Sequence, residues 1–327
     1  MSGTFQIRGG KKLHGEITPQ GAKNEALQIL CAVLLTDEEV RVKNIPDIHD
    51  VNRLIEILGD FGVKITKNAH GDYTFKADHI NFDYIKSKEF KNDGAKLRGS
   101  IMLLGPMLAR FGEAYMPTPG GDKIGRRRLD THFQGLVELG ASFHYDEAEY
   151  FYSLKAKELN GKFILLEEAS VTGTANIVMA AVLANGKTRI YNAACEPYLQ
   201  QLCKMLNRMG ANISGIGSNL LTIEGVTHLH GTEHTMLPDM VEIGSWIGLA
   251  AMTKSEMTIK NVNWNQLGVI PNTFRKLGIE LDQSGDDIFI PAQEHYKIQK
   301  FIDGSILTVS DAPWPGFTPD LLSIILV

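Results

Sequence analysis

The chain has 327 residues, 43% of them hydrophobic and 22% charged, with a formal net charge of −5. That length allows two domains with a core each, and the composition is that of an ordinary globular protein. The acidic balance argues against broad binding to nucleic acid or an anionic membrane, the first residues are too polar for a signal peptide, and the most apolar run, 29–35, is far too short to span a bilayer.

From the N-terminus, a helix is predicted over 24–35, apolar on every side and therefore buried. A strand follows at 40–45, apolar at alternate positions, and Pro46 and Asp47 stop it. Asp50 reads as the cap of an amphipathic helix over 51–58, with Val51, Leu54, Ile55 and Leu58 on one face. Gly62 ends that helix, and 63–65 pairs with 73–75 as a hairpin. A second apolar helix is expected over 97–109 and a third over 176–184. Strand 188–192, helix 198–209 and a hairpin of 212–214 with 220–224 follow. Then come an apolar helix over 241–252, strand 257–262, a helix through Phe274, and a hairpin of 279–281 with 287–290. One more apolar helix begins at Asp320 and runs to Val327.

The module is thus written four times: buried helix, strand, amphipathic helix, Gly-centred restart, hairpin. The restarts read LGDFGVKI (58–65), LVELGASF (136–143), LNRMGANI (206–213) and FRKLGIEL (274–281). Their glycines, Gly62, Gly140, Gly210 and Gly278, recur at intervals of 78, 70 and 68 residues (62 to 140, 140 to 210, 210 to 278). A period that long marks a supersecondary unit, here βαβαββ-like, that buries its apolar face against its neighbours. The apolar stretch after Asp320 would open a further unit. The chain is therefore expected to be the N-terminal part of a longer protein, with roughly 110 further residues completing six copies.

Copies can be compared with one another. Copy two departs from the rest between its strand and its helix, where it carries PTPGGDKIGRRRLDTH (117–132). Two prolines and a Gly pair predict an exposed, hinged segment. Three arginines follow, just before a helix start, and Arg forks suit phosphate or carboxylate oxygens. An exposed basic turn would look the same. A second constellation lies at the starts of the buried helices. Lys23 and Asn24 open the first, Arg98 the second, and Ser170, Val171 and Thr172 offer hydroxyls and backbone N–H groups at the third. Equivalent helix starts in a repeat tend to converge on one end of a domain, where an anionic substrate would meet them all. His132 reads either as an acid–base group or as a structural hydrogen-bonding residue. Cys195 reads as opening a helix. Cys31, Cys195 and Cys203 cannot all pair, and none has metal-ligand spacing with histidine, which reads as reduced thiols in a cytoplasmic protein.

These segments in this order resemble the UDP-N-acetylglucosamine enolpyruvyl transferases of the EPSP synthase-like family. The carrying residues are Gly21-Ala-Lys-Asn24, Asn44-Ile-Pro46 with Asp50, Arg98 with Ser100, the 119–125 loop with Arg127, Asp130 and His132, then Asn192 with Glu196-Pro197, Leu237-Pro-Asp239 and 315–320. The resemblance implies an α/β (α+β) fold of repeated βαβαββ units in a two-domain inside-out α/β barrel. Residues 22–236 would be the first domain; 1–21 with 237–327 would be an incomplete second domain, lacking a further arginine and so placing activity of this chain alone in question. It implies transfer of the enolpyruvyl group of phosphoenolpyruvate to UDP-N-acetylglucosamine in peptidoglycan precursor synthesis, with no metal or organic cofactor. Lys23 and Arg127 would hold phosphoenolpyruvate. Asn24, Arg98, Ser170, Val171 and Thr172 would hold the nucleotide sugar, and Asp320 would act as general base. Where the family usually has a loop cysteine this chain has Asp122, which would protonate the methylene carbon. Its ordinary pKa near 3.9 demands desolvation or a negative neighbour in the closed loop. The exchange also predicts insensitivity to fosfomycin, which alkylates the cysteine thiolate. Arg128 stands where the family often has proline, and Thr172 where it often has glycine. The rival readings are transfer to shikimate 3-phosphate, a homologue that only binds UDP-sugar, and a scaffold without ligand. Oligomeric state is left open.

Overall fold

The four repeat glycines share one backbone state in the structure, a computed structural model that describes residues 4–120 and 129–327. Gly62, Gly140, Gly210 and Gly278 have φ of 95°, 109°, 103° and 89°. Each sits just past a helix, where a left-handed turn reverses the chain and a side chain would be strained. Asn44, Asn192 and Asn261 close the strand before each amphipathic helix, also at positive φ (59°, 60° and 53°), as Asn tolerates. Copy two has no such asparagine; its strand Glu113–Pro117 runs out into Pro-Thr-Pro.

The chain divides into two compact units, Gly21–Leu237 and Met1–Gln20 with Pro238–Val327. Within the first, copies one and three make matching four-stranded sheets. Copy one orders Thr232–Thr235, Glu39–Lys43, Asp72–Lys76 and Lys64–Ala69; copy three orders Phe163–Leu165, Lys187–Tyr191, Leu220–Glu224 and Asn212–Ser214. In both, the outer strand comes from elsewhere in the sequence and pairs parallel, and the hairpin pairs antiparallel. The Asn44 and Asn192 amides donate to Met236 O (3.1 Å) and Leu166 O (3.0 Å), at the end of that outer strand. Among the described residues, copy two has three strands, Glu113–Pro117, Phe151–Lys155 and Ser142–Asp146. Because Thr232–Thr235 follows copy three and pairs with copy one, the three copies close on themselves.

The sheets alternate buried and outward side chains, and the core lies behind their buried faces. The helix Lys23–Ala32 is buried at every residue from Glu25 on, and Val171–Ala181 from Gly173 on. Each Leu or Ile so enclosed contributes about 1.5–3 kcal/mol. The helix expected over 97–109 is two pieces, a 3-10 helix Arg98–Leu103 and an α-helix Leu104–Phe111. Pro106 explains the break: it lacks an N–H and is tolerated in the first turn of a helix, so the α-helix starts at Leu104. Asn176 braces this pair to its own helix. Its Oδ1 accepts from Gly105 N (2.6 Å) and its Nδ2 donates to Ile101 O (3.0 Å). A Cβ on Gly105 would lie 2.3 Å from Asn176 O, so only glycine fits there.

A charged brace ties the closing strand to the first helix. His234 Nε2 donates to Glu25 Oε1 (2.7 Å), Arg208 donates to His234 Nδ1 (2.6 Å), and Leu237 N donates to Glu25 Oε2 (3.1 Å). Glu25 is 0% and His234 2% exposed. Burial first, then the Arg208 charge, pushes His234 down to about 4, so the ring is a neutral bridge between carboxylate and guanidinium.

In the other unit, Glu16–Ile17, Met257–Ile259, Asp287–Ile290 and Asp282–Ser284 form a sheet with the same pattern as copies one and three. Its hairpin starts at Asp282 rather than at the expected Ile279. Helices Met240–Met252, Ile270–Lys276 and Leu322–Leu326 belong to this unit. Among the described residues, no helix is long and apolar enough to cross a membrane.

Candidate functional site

In the Gly21–Leu237 unit, three helix starts line one cavity of ≈ 550 Å³. They are those of Lys23–Ala32, Arg98–Leu103 and Val171–Ala181. Lys23, Asn24, Arg98, Ser170, Val171 and Thr172 all reach its wall. First-turn N–H groups have no intrahelical acceptor, which makes such starts suited to oxyanions.

The lysine is engaged. Lys23 Nζ lies 2.6 Å from Asp50 Oδ2, with side chains 44% and 39% exposed. A pair that open to water contributes at most about 1 kcal/mol, so a phosphate or carboxylate can displace Asp50. The structure corrects the expected role of Asp50: the helix runs His49–Asp60 with Ile48 at its cap, and Asp50 stands in the first turn. Ser170 does cap its helix, its Oγ accepting from Gly173 N (3.2 Å). That helix starts five residues earlier than the apolar pattern suggested, because the Ser-Val-Thr-Gly turn is already helical. Cys195 does not open a helix; Pro197 does, as proline at a first helical position should.

His132 is buried in the same wall. The Asn176 amide, oriented by its other bonds, donates to Nδ1 (3.0 Å), which leaves Nε2–H facing Thr172 Oγ1 (3.2 Å). Burial, then the Arg98 charge, pushes His132 down to about 4. At neutral pH it is therefore an uncharged donor that orients Thr172, rather than a proton source.

Sequence reasoning missed Gln28. It is 1% exposed and lines the cavity, and its side-chain oxygen has no hydrogen-bond partner among the described residues. A buried acceptor left unmet costs about 1–3 kcal/mol, and a donor entering the cavity would meet it. The available signal was a polar residue one turn after Asn24 on an otherwise apolar helix. Tyr198 and Glu168 also line the wall and were not anticipated.

Asp320 is exposed on the 3-10 helix Pro319–Leu321 of the other unit. Asp122 and Arg127 lie outside the described residues. Among the described residues of the cavity wall, no three His, Cys, Asp or Glu side chains converge as metal ligands do.

The protein-family model for EPSP synthase (3-phosphoshikimate 1-carboxyvinyltransferase) matches residues 7–326. Proteins named UDP-N-acetylglucosamine 1-carboxyvinyltransferase are similar over 99% of this chain and 74–75% of their own length: 66% identical in Bacteroides fragilis, 62% in Porphyromonas gingivalis and 47% in Treponema denticola. Among solved structures, the enolpyruvyl transferase NikO from Streptomyces tendae superposes with a TM-score of 0.82 at 18% identity, covering 98% of this chain and 73% of that one. EPSP synthase from Acinetobacter baumannii superposes with a TM-score of 0.68 at 18% identity, over 88% of this chain and 67% of that one. At that identity the likeness is one of fold.

Proposed function

The chain belongs to the EPSP synthase family, and we propose that it moves the enolpyruvyl group of phosphoenolpyruvate onto the 3′-hydroxyl of UDP-N-acetylglucosamine, releasing phosphate. The observation that carries this reading is the 62–66% identity, over 99% of the chain, to proteins named for that transfer. The cavity supports it: a lysine, an arginine and helix starts suit a ligand bearing phosphates. In cells the reaction serves peptidoglycan precursor synthesis in the cytoplasm. Gly21–Leu237 is then a domain of three βαβαββ copies, and the other unit is part of a second such domain.

The chemistry is an addition followed by an elimination. Asp122 gives a proton to the methylene carbon of phosphoenolpyruvate, the sugar oxygen attacks the adjacent carbon, and Asp320 accepts the hydroxyl proton. The methyl group so formed then returns a proton as the carbon–oxygen bond to phosphate breaks, leaving an enol ether and inorganic phosphate. Lys23 and Arg127 hold phosphate and carboxylate, their charge matching the negative charge of the addition product. Asn24, Arg98 and the Ser170-Val171-Thr172 turn hold the nucleotide sugar, with His132 setting the Thr172 hydroxyl.

Phosphate release, measured with phosphoenolpyruvate and either UDP-N-acetylglucosamine or shikimate 3-phosphate, tests the assignment. Turnover is expected with the nucleotide sugar alone. Turnover with shikimate 3-phosphate overturns it, as does calorimetric binding of the UDP-sugar without any phosphate release.

A further inference from the structure

Away from the cavity, Glu38, His228 and His230 converge where the segment leading into Thr232–Thr235 meets the chain entering Glu39–Lys43. Glu38 Oε1 lies 3.5 Å from His228 Nε2 and 3.2 Å from His230 Nδ1, and one donor atom from each residue falls within 4.8 Å of the others. We propose that Glu38, His228 and His230 form a zinc-binding site that clamps the closing strand of the unit to its first strand.

The spacing fits the metal. Zinc holds imidazole nitrogen and carboxylate oxygen at about 2.0–2.1 Å in a tetrahedron, whose donor-to-donor edge is therefore about 3.3 Å. The two measured separations bracket that edge. Two imidazoles and one carboxylate are a donor set that suits zinc rather than magnesium or calcium. The site is also prearranged. Gly231 N donates to Glu38 Oε2 (2.7 Å), which leaves Oε1 for the histidines. Thr36 Oγ1 donates to Leu229 O (2.6 Å) and accepts from Glu38 N (3.1 Å), so both backbones are already fixed to each other. A Cβ on Gly231 would lie 2.4 Å from Glu39 O, so the two segments touch at backbone level. The rings of His228 and His230 stand at 77°, presenting different nitrogens to one point. With side chains about half exposed, a water can take the fourth position.

The clamp lies on the parallel pairing that joins the end of copy three to copy one. It is independent of the catalytic assignment. Calorimetric titration of the full, tag-free chain with zinc chloride is expected to show one saturable equivalent, accompanied by a rise in Tm. The paired substitution His228→Ala and His230→Ala should weaken binding about a hundredfold or more, since even groups behind a ligand cost 10–100-fold when lost. It should also abolish the zinc-dependent rise in Tm. Glu38→Gln keeps an acceptor for Gly231 and separates loss of metal from loss of fold: it should bind zinc more weakly yet unfold at the wild-type Tm in the absence of zinc. Absence of saturable binding by the wild type, or equal binding by the histidine variant, overturns the proposal.

Discussion

Two buried histidines in the same unit have the same low pKa, about 4, and opposite roles. His234 lies between Glu25 and Arg208, with a backbone N–H completing the carboxylate, and nothing of that group lines the cavity. His132 lines the cavity, shares it with Lys23 and Arg98, and lies in the same wall as the unmet oxygen of Gln28. Burial and a perturbed pKa therefore do not by themselves mark a site. Hydrogen-bonding capacity left over for a guest does.

The largest expected effect breaks the brace. Glu25→Ala leaves the buried His234 Nε2–H and the Leu237 N–H without their acceptor and should destabilise the protein by about 1–3 kcal/mol for each donor in urea unfolding. A loss under 1 kcal/mol would mean that the brace is not structural. The cavity side should respond the other way. Lys23→Ala is expected to lower phosphate-release turnover about 100–1000-fold, or about 2.7–4 kcal/mol, while changing stability by less than about 1 kcal/mol.

Acid should strike both histidines together. Each is held near 4 in the folded chain against about 6.5 when unfolded, so the unfolded chain binds more protons between those values. Their contribution to stability is complete above about pH 6.5 and is lost as pH falls towards 4. From pH 6.5 to 5 that amounts to about 2 kcal/mol per histidine, read from urea midpoints. His234→Gln should remove its half of the slope; an unchanged slope would assign the acid sensitivity elsewhere.

Smaller changes sharpen the cavity side. Asp122→Cys should shift the pH–rate profile to higher pH and confer fosfomycin inhibition with a covalent adduct on that residue. Inhibition of the wild type by such an adduct would contradict the role given to Asp122. Gln28→Leu should leave stability within about 1 kcal/mol, because it removes an unmet acceptor, yet weaken UDP-N-acetylglucosamine binding about tenfold in calorimetry.

The sequence carried the repeat well because its signals are local. A glycine past each helix and a hairpin after it impose the same φ wherever they occur. Lys23, Asn24, Arg98 and the Ser170–Thr172 turn were legible for the same reason, as polar residues at helix starts, and they do share one cavity. Long-range effects were not legible. The outer parallel strands of copy one's sheet and of the sheet in the other unit come from a distant part of the chain, and no local pattern announces them. The split of 97–109 turned on one proline. Glu25, Asn176 and His234 carry no local sign of their roles, because their partners lie 209 residues away for the Glu25–His234 bond and 71 for Asn176–Gly105.

The central claim is that the three helix starts grip a nucleotide sugar. Calorimetric titration of UDP-N-acetylglucosamine into the wild type and Arg98→Ala tests it most directly. The account predicts saturable binding by the wild type, at least about tenfold weaker binding by the variant, and a cooperative unfolding transition in both without ligand, since loss of a charge-assisted contact costs about 1.5–3 kcal/mol. Equal affinity in two equally folded proteins would contradict it.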